Sequence, residues 1–518
     1  MQTVTGTDMH FSLQILTRKL ALGLSACALS ALTTLAVAQE SDLPDIGNPA
    51  GTILSMDDEY RIGLYIMREL RDENQIIEDP EVTEYVQSIG SRLAAQAPDA
   101  DRHFTYFVVR DSAINAFALP GGFIGVNYGT ILASDSESEL AGVLAHETAH
   151  VVQRHIARAI QAQSKQSLTT AAAILAAILI GVAGGGGQAV EGGIAAAEGM
   201  AVQQQINFTR SEEFEADRVG MGFLSRAGFD PRGMPDFFEV LQRRYGFTEA
   251  RIPKFLLDHP VTSERVAEAR GRASQMERPK KLVDSVSYTL VRERLRVLTA
   301  SQDTDLKAYY GKRLETRNPP LSDQYGQALA LLERGHPTEA AEILEPLVNQ
   351  HEGVILLHAA LGQAQVASGQ IQDGLSTFEH AEALFPRNVP LTIRYSEALM
   401  KAGQAKLAHN LLLDLFNNVE PTPAEIRLTA LAASAAGDTG DAYYYMSEYH
   451  ISSGNLPLAS QQLQLALAAP NLTLIQRERF QARLDEIRDV LANERRAQRE
   501  QQAQDGSGGG GRRGGGGR

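Results

Sequence analysis

The sequence predicts a mainly α-helical protein in two parts: a helical domain carrying a small antiparallel β-sheet, followed by an α-solenoid. Three observations predict it. Residues 144–151, LAHETAHV, set His146, Glu147 and His150 inside an otherwise apolar helical stretch. Upstream, the aromatic and β-branched runs HFTYFVVR and INAFALPGGFIGV read as strands, the second folded at Pro120, Gly121 and Gly122. Downstream, Gly335, Gly369 and Gly403 recur every 34 residues between helical patterns.

The 518 residues exceed one ordinary core, and a scale of roughly 150 residues per domain gives about three units. The 43% hydrophobic and 21% charged content are those of a soluble globular protein, and a net charge of -15 argues against nucleic acid as a partner. At the N-terminus Arg18 and Lys19 precede an apolar run over residues 20–35 that ends in AVAQE, the pattern of a secretory signal peptide spanning residues 1–38. A membrane anchor is the competing reading, but the run falls short of the roughly 20 residues that span a bilayer. LSAC at residues 24–27 has the form of a lipoprotein-processing site, and the apolar run continuing past Cys27 argues against lipid anchoring there. Cleavage after Ala38 removes the only cysteine, so no disulfide forms within the mature chain.

Residues 54–95 mix polar and apolar positions at helical spacing and read as one or two covering helices. After the strands, Ser136 with Glu139 three residues on has capping-box spacing, so a helix starts there and runs through LAHETAH. Residues 168–182 are nearly all apolar and lead into AGGGG; they read as a buried or surface-docked helix, with peripheral membrane contact or insertion as the alternatives. A second helix carries SEEFEADRVGMGFLSRAG and stops at Gly228 and Pro231. Composition turns basic and polar at residues 278–281, which places a boundary there. Residues 39–280 then form the first domain, 281–320 a helical linker, 321–480 the repeats and 481–518 a charged helix end with a disordered Gly/Arg tail.

Within the repeats Ala340, Gly374 and Ala408, then Leu344, Phe378 and Leu412, follow the glycines in register. Pro386 closes the best-matched unit, and Gly454 with Ala459, Leu463 and Ala466 resumes the pattern after a break in the period. This resembles tetratricopeptide repeats, whose stacked hairpins present a concave protein-binding groove; a generic helical bundle is the alternative.

Residues four apart share a helix face, so His146 and His150 can aim their imidazoles at one site with Glu147 beside them, the HExxH arrangement of zinc peptidases. His155, nine residues from His146, falls on the opposite face of a continuous helix and reads as solvated. A catalytic zinc needs a third protein ligand and one open position. Glu213 meets the need, Asp217 shares its face and can brace a ligand histidine, and Gly220 lets the second helix approach the first.

HETAH with EFEAD some sixty residues on, NAFALPGG before them and LLDHPVTSER after them together resemble the family-48 zinc metallopeptidases. The leader and the repeats narrow the resemblance to the periplasmic proteases that assist β-barrel assembly in Gram-negative bacteria. It implies a zincin-like catalytic domain with one zinc held by His146, His150 and Glu213, Glu147 as catalytic base, and Asp217 as a second acidic residue often assigned proton donation. It further implies that His259 is a regulatory or fourth metal ligand, with Arg265 a basic residue of its supporting loop. The strand after Pro120, flanked by Asn115, Pro120, Gly121 and Gly122, is read as a pairing edge for an extended substrate. Outer-membrane β-barrel proteins, their assembly machinery and unfolded chains are the implied partners, with no nucleic acid. A non-proteolytic chaperone or scaffold working through the repeats is the rival reading.

Overall fold

The computed structural model describes residues 55–98, 103–162, 210–245, 259–280 and 283–508. The leader with Cys27, the apolar stretch 168–182 and the chain beyond residue 508 lie outside the described residues. The first helices are α1 (Met56–Asp72) and α2 (Pro80–Ala94), each begun by a side chain that accepts an orphan N–H: Ser55 from Asp58 and Asp79 from Val82. Their buried residues, Ile62, Ile66 and Leu70 on α1 and Val82, Val86, Ile89 and Leu93 on α2, recur at three- and four-residue spacing.

Strands β1 (Thr105–Val109), β2 (Ala116–Leu119) and β3 (Phe123–Asn127) form a sheet in the order β1-β3-β2. β2 and β3 make the expected antiparallel hairpin, turned by Gly121 and Gly122 at φ 81° and 90°. Because β3 inserts between the first two strands it runs parallel to β1, so the sheet is mixed rather than wholly antiparallel.

Six helices follow among the described residues: α3 (Tyr128–Ala133), α4 (Glu137–Val152), α5 (His155–Ala162), α6 (Arg210–Arg226), α7 (Gly233–Tyr245) and α8 (Ser263–Gln275). α4 begins as expected at Ser136, which accepts the Glu139 N–H, but the Glu139 carboxylate reaches one residue further back, to the Asp135 N–H at 2.6 Å. From Glu139 to Val151 this helix is buried on every side, enclosed by the sheet, α2, α6 and α7.

α9 (Val286–Leu298) and α10 (Leu306–Leu314) lead into helical hairpins α11 (Leu321–Glu333) with α12 (Pro337–Gln350), α13 (Ile355–Ala367) with α14 (Ile371–Leu384), α15 (Val389–Lys401) with α16 (Ala405–Phe416), and α17 (Pro423–Ala435) with α18 (Thr439–Ser452). The four hairpins turn at Gly335, Gly369, Gly403 and Gly437, all with positive φ. Gly437 thus continues the period where the sequence pattern suggests a break, and Gly454 lies half a period on, between α18 and α19 (Leu456–Ala468). The in-register residues Ala340, Leu344, Phe378, Ala408 and Leu412 are all fully buried between hairpins, the packing of a tetratricopeptide-type solenoid. The last helix, α20 (Leu474–Gly508), carries regular structure into the stretch that composition reads as a disordered tail.

The two parts are joined by more than chain connectivity. α9 serves both: Tyr288, Val291 and Leu295 enter the core around α4, while Leu290 and Val297 enter the core of the first repeats. Further along, Arg394 on α15 reaches back to α2, placing Nη2 2.9 Å from Asp79 Oδ2 and 2.7 Å from Glu81 Oε2. Arg294 of α9 binds the same pair of carboxylates.

Candidate metal centre

The close pairing of α4 and α6 creates the centre. A Cβ on Gly220 would lie 2.7 Å from the Ala145 carbonyl oxygen, so only glycine allows the backbones this near. Glu213, two turns earlier on α6, then faces His146 and His150 on α4, and the loop before α8 brings in His259. All four residues are buried and their donor atoms lie within 4.8 Å of one another.

The separations fit a metal ion. His146 Nε2 is 3.0 Å from His150 Nε2 and 3.6 Å from Glu213 Oε2, and His150 Nε2 is 3.6 Å from Glu213 Oε1. His259 Nδ1 is 3.3 Å from His146 Nε2 and 2.9 Å from Glu213 Oε1. Tetrahedral zinc with bonds of about 2.0–2.1 Å sets its ligands about 3.3 Å apart, the middle of this range. Two imidazole nitrogens facing each other at 3.0 Å need either a proton or a metal ion between their lone pairs.

The electrostatics agree. Burial and the neighbouring His146 and His259 hold the His150 imidazole well below its ordinary value, so it stays neutral and able to ligate. Burial pushes the Glu213 carboxyl up, but His259, His146 and Arg265 more than offset that and keep it ionised. Burial also presses the His259 imidazole down, and Glu213 with Glu147 reverses the effect and lifts it to about 9. The carboxylates therefore attract a cation to this point, either a proton on His259 or a metal ion that displaces it. Glu147 is fully buried beside the cluster, with Oε1 3.6 Å from His259 Nε2.

Around these donors the structure corrects three expectations and bears on a fourth. Asp217 stands behind a ligand histidine, the brace that its place on the helix face allows. Its Oδ1 is 2.9 Å from His146 Nδ1, and Arg265 Nε and Nη2 each donate to it at 2.8 Å. Burial raises its carboxyl, yet the His146 and Arg265 contacts bring it down to about 2, so it braces a ligand histidine as an anion. Arg265 itself stands in the first turn of α8 rather than in a loop, where its N–H is accepted by Thr262 Oγ1 and its guanidinium also lies 2.6 Å from Glu213 Oε2.

His155 is not solvated but fully buried, its Nδ1 2.8 Å from His150 Nδ1. α4 ends at Val152, and Arg154 takes a left-handed φ of 53°, which resets the helical phase before α5 begins. No glycine or proline marks that break, so the sequence carried no signal for it. The expected substrate strand also moves. β3 is the central strand with both edges bonded, and the Asn115 backbone is engaged by Thr130 and Asn127. Pro120, Gly121 and Gly122 lie under α1, where a Cβ on Gly121 would meet the Tyr60 Cα at 2.5 Å. Of the two outer edges, that of β1 is bonded to residues 75–77 through the Ile76–Val109 bridge, and that of β2 has no strand partner among the described residues.

Known proteins are similar to this chain in sequence. Residues 80–273 match Peptidase family M48. A putative beta-barrel assembly-enhancing protease of Vibrio cholerae serotype O1 is 35% identical over 465 residues, covering 87% of this chain and 94% of that one. The beta-barrel assembly-enhancing protease of Escherichia coli K12 is 33% identical over 486 residues, 91% of this chain and 98% of that one. The mitochondrial metalloendopeptidase OMA1 of Schizosaccharomyces pombe shares 31% identity over 184 residues, 36% of this chain and 51% of that one. The last likeness is partial, whereas the first two run through both the metal centre and the repeats, and on that ground the chain belongs to the M48 zinc metalloendopeptidases, among the beta-barrel assembly-enhancing proteases.

Proposed function

We propose that this zinc endopeptidase works in the periplasm, degrading misassembled outer-membrane β-barrel proteins and assisting assembly of the rest through its repeats. The observation that carries the reading is the near full-length likeness to proteases named for barrel assembly, combined with a buried His–His–Glu–His cluster on α4, α6 and the α8 loop. Among the described residues no helix is long and apolar enough to cross a membrane.

His146, His150 and Glu213 would hold one zinc ion, which when bound would supply Lewis-acid activation of a water and of the scissile carbonyl. Glu147 takes the proton of the attacking water and returns it to the leaving amine; burial beside the cluster keeps competing water away from its carboxylate. Asp217 and Arg265 fix the His146 ring, so the ligand geometry is set before substrate arrives. An extended substrate adds to the β2 edge, which has no strand partner among the described residues, and gains backbone hydrogen bonds with little dependence on its sequence. His259, with Nδ1 2.9 Å from Glu213 Oε1, would be a further ligand to the metal and would hold the resting enzyme closed.

Glu147→Gln tests the assignment: zinc content stays at wild-type level while turnover of a denatured barrel protein falls by about 10²–10⁴-fold, because an amide cannot accept the water's proton. Retained turnover would remove Glu147 as the base, whereas no turnover by the zinc-loaded wild type would leave the repeats, acting as a scaffold, as the better reading. In the same assay His259→Ala raises turnover, since a catalytic zinc needs that position open. A zinc-loaded His259→Ala protein at background activity would instead make His259 a catalytic group.

A further inference from the structure

The two histidines of α4 are braced in different ways. His146 Nδ1 meets a carboxylate directly, that of Asp217 at 2.9 Å. His150 Nδ1 meets another imidazole, His155 Nδ1 at 2.8 Å, with the rings in an edge-to-face arrangement at 79° and their centroids 4.8 Å apart. Beyond it, His155 Nε2 lies 3.4 Å from Glu215 Oε2 on α6, and Arg158 Nη2 lies 3.4 Å from the same oxygen.

We propose that His155 is a positioning residue for the metal ligand His150, the middle of a hydrogen-bonded relay His150–His155–Glu215 that runs from the metal centre to the protein surface. The inference rests on the zinc reading above but concerns residues outside the ligand set.

Hydrogen-bond arithmetic fixes the direction of the relay. His150 presents Nε2 to the other donors, so as a neutral ligand it carries its proton on Nδ1 and donates it. His155 Nδ1 must then accept. A neutral imidazole that accepts at Nδ1 carries its proton on Nε2, the atom that faces Glu215. Each ring therefore donates outward, and both tautomers are set by one carboxylate whose side chain is about a third exposed, 30%.

Tertiary structure holds the relay in place through the break between α4 and α5. Arg154, in its left-handed conformation, donates from Nε to Glu59 Oε1 on α1 at 2.9 Å. That clasp turns the chain so that His155 returns under His150 instead of continuing around the α4 helix.

The test compares zinc affinity in full-length wild type, His155→Ala, His155→Gln and Glu215→Gln by chelator competition, together with the visible absorption bands of the cobalt-substituted proteins. His155→Ala removes the acceptor and is expected to weaken zinc binding by about 10–100-fold and to move the cobalt bands, the usual effect of losing a residue that orients a ligand. His155→Gln keeps a carbonyl oxygen able to accept from His150 Nδ1 and is expected to restore most of the affinity and the wild-type bands. Glu215→Gln gives a smaller loss. Wild-type affinity in His155→Ala, or equal losses in His155→Ala and His155→Gln, overturns the relay. If His155→Ala does not fold, Glu215→Ala, which removes the acceptor altogether, decides: weakened zinc binding supports the relay and unchanged binding overturns it. Loss of zinc from Glu213→Ala in parallel checks the underlying site, so failure of the relay and failure of the zinc reading are told apart.

Discussion

At the metal centre, the donor atoms of His146, His150, Glu213 and His259 lie within 4.8 Å of one another, and at the junction with the repeats Arg294 and Arg394 lie between Asp79 and Glu81. Both clusters are buried and both hold carboxylates. In the junction each acceptor faces a guanidinium that stays protonated, so the cluster is neutral with what the chain itself supplies. Burial pushes the Asp79 carboxyl up, and Arg294 with Arg394 reverses this and holds it well below the usual carboxylate range. In the metal centre the donors converge without enough built-in positive charge, and Arg265 is spent largely on Asp217. A buried cluster that balances its own charge is a fastener, whereas one that leaves acceptors facing each other is a socket for a cation.

The largest effect expected on stability comes from unbalancing the fastener. Arg394→Ala leaves one arginine for two buried carboxylates and should cost about 3–5 kcal/mol in denaturant unfolding. The double variant Arg394→Leu with Glu81→Gln restores a single neutral pair and should recover most of that loss. A cost near the ~1 kcal/mol of an exposed ion pair would mean that the junction opens in solution.

A smaller effect is expected at the socket's backbone. Gly220→Ala forces a Cβ against the Ala145 carbonyl, and the resulting overpacking should cost about 1–3 kcal/mol while lowering zinc affinity. Gly362→Ala in the repeats is the matched control: its Cβ would meet the Phe378 ring, so stability falls without any change in zinc binding. Equal zinc affinities in both variants would show that the closeness of α4 and α6 does not set the ligand geometry.

The junction also changes what the repeats mean for the catalytic part. With α9 in both cores and α15 anchored on α2, cutting the chain near residue 320 would remove Arg394 from Asp79 and Glu81. The solenoid is therefore a structural neighbour of the helix that packs on α4, not a separate module on a string.

The sequence by itself determined whatever a single regular element carries. His146 and His150 share a face because four residues make about one helical turn, and Glu213, Asp217 and Gly220 line one side of α6 for the same reason. The solenoid was legible because each hairpin needs the same left-handed glycine, although the substitution of Gly454 for Gly437 as the next marker shows how easily one position is passed over. Only the tertiary structure decided the rest. His155 reaches His150 because Arg154, clasped by Glu59 from 95 residues away, breaks the helical phase without glycine or proline to announce it. β3 lost its free edges to strands on both sides, and Asp217, legible as a brace from its helix face, gained Arg265 as a partner from 48 residues away. Arg294 and Arg394 meet α2 across 215 and 313 residues. Spacing along a helix is set by local backbone geometry and survives in the sequence, whereas which distant charge arrives beside it depends on how whole elements pack, and that packing leaves no periodic trace.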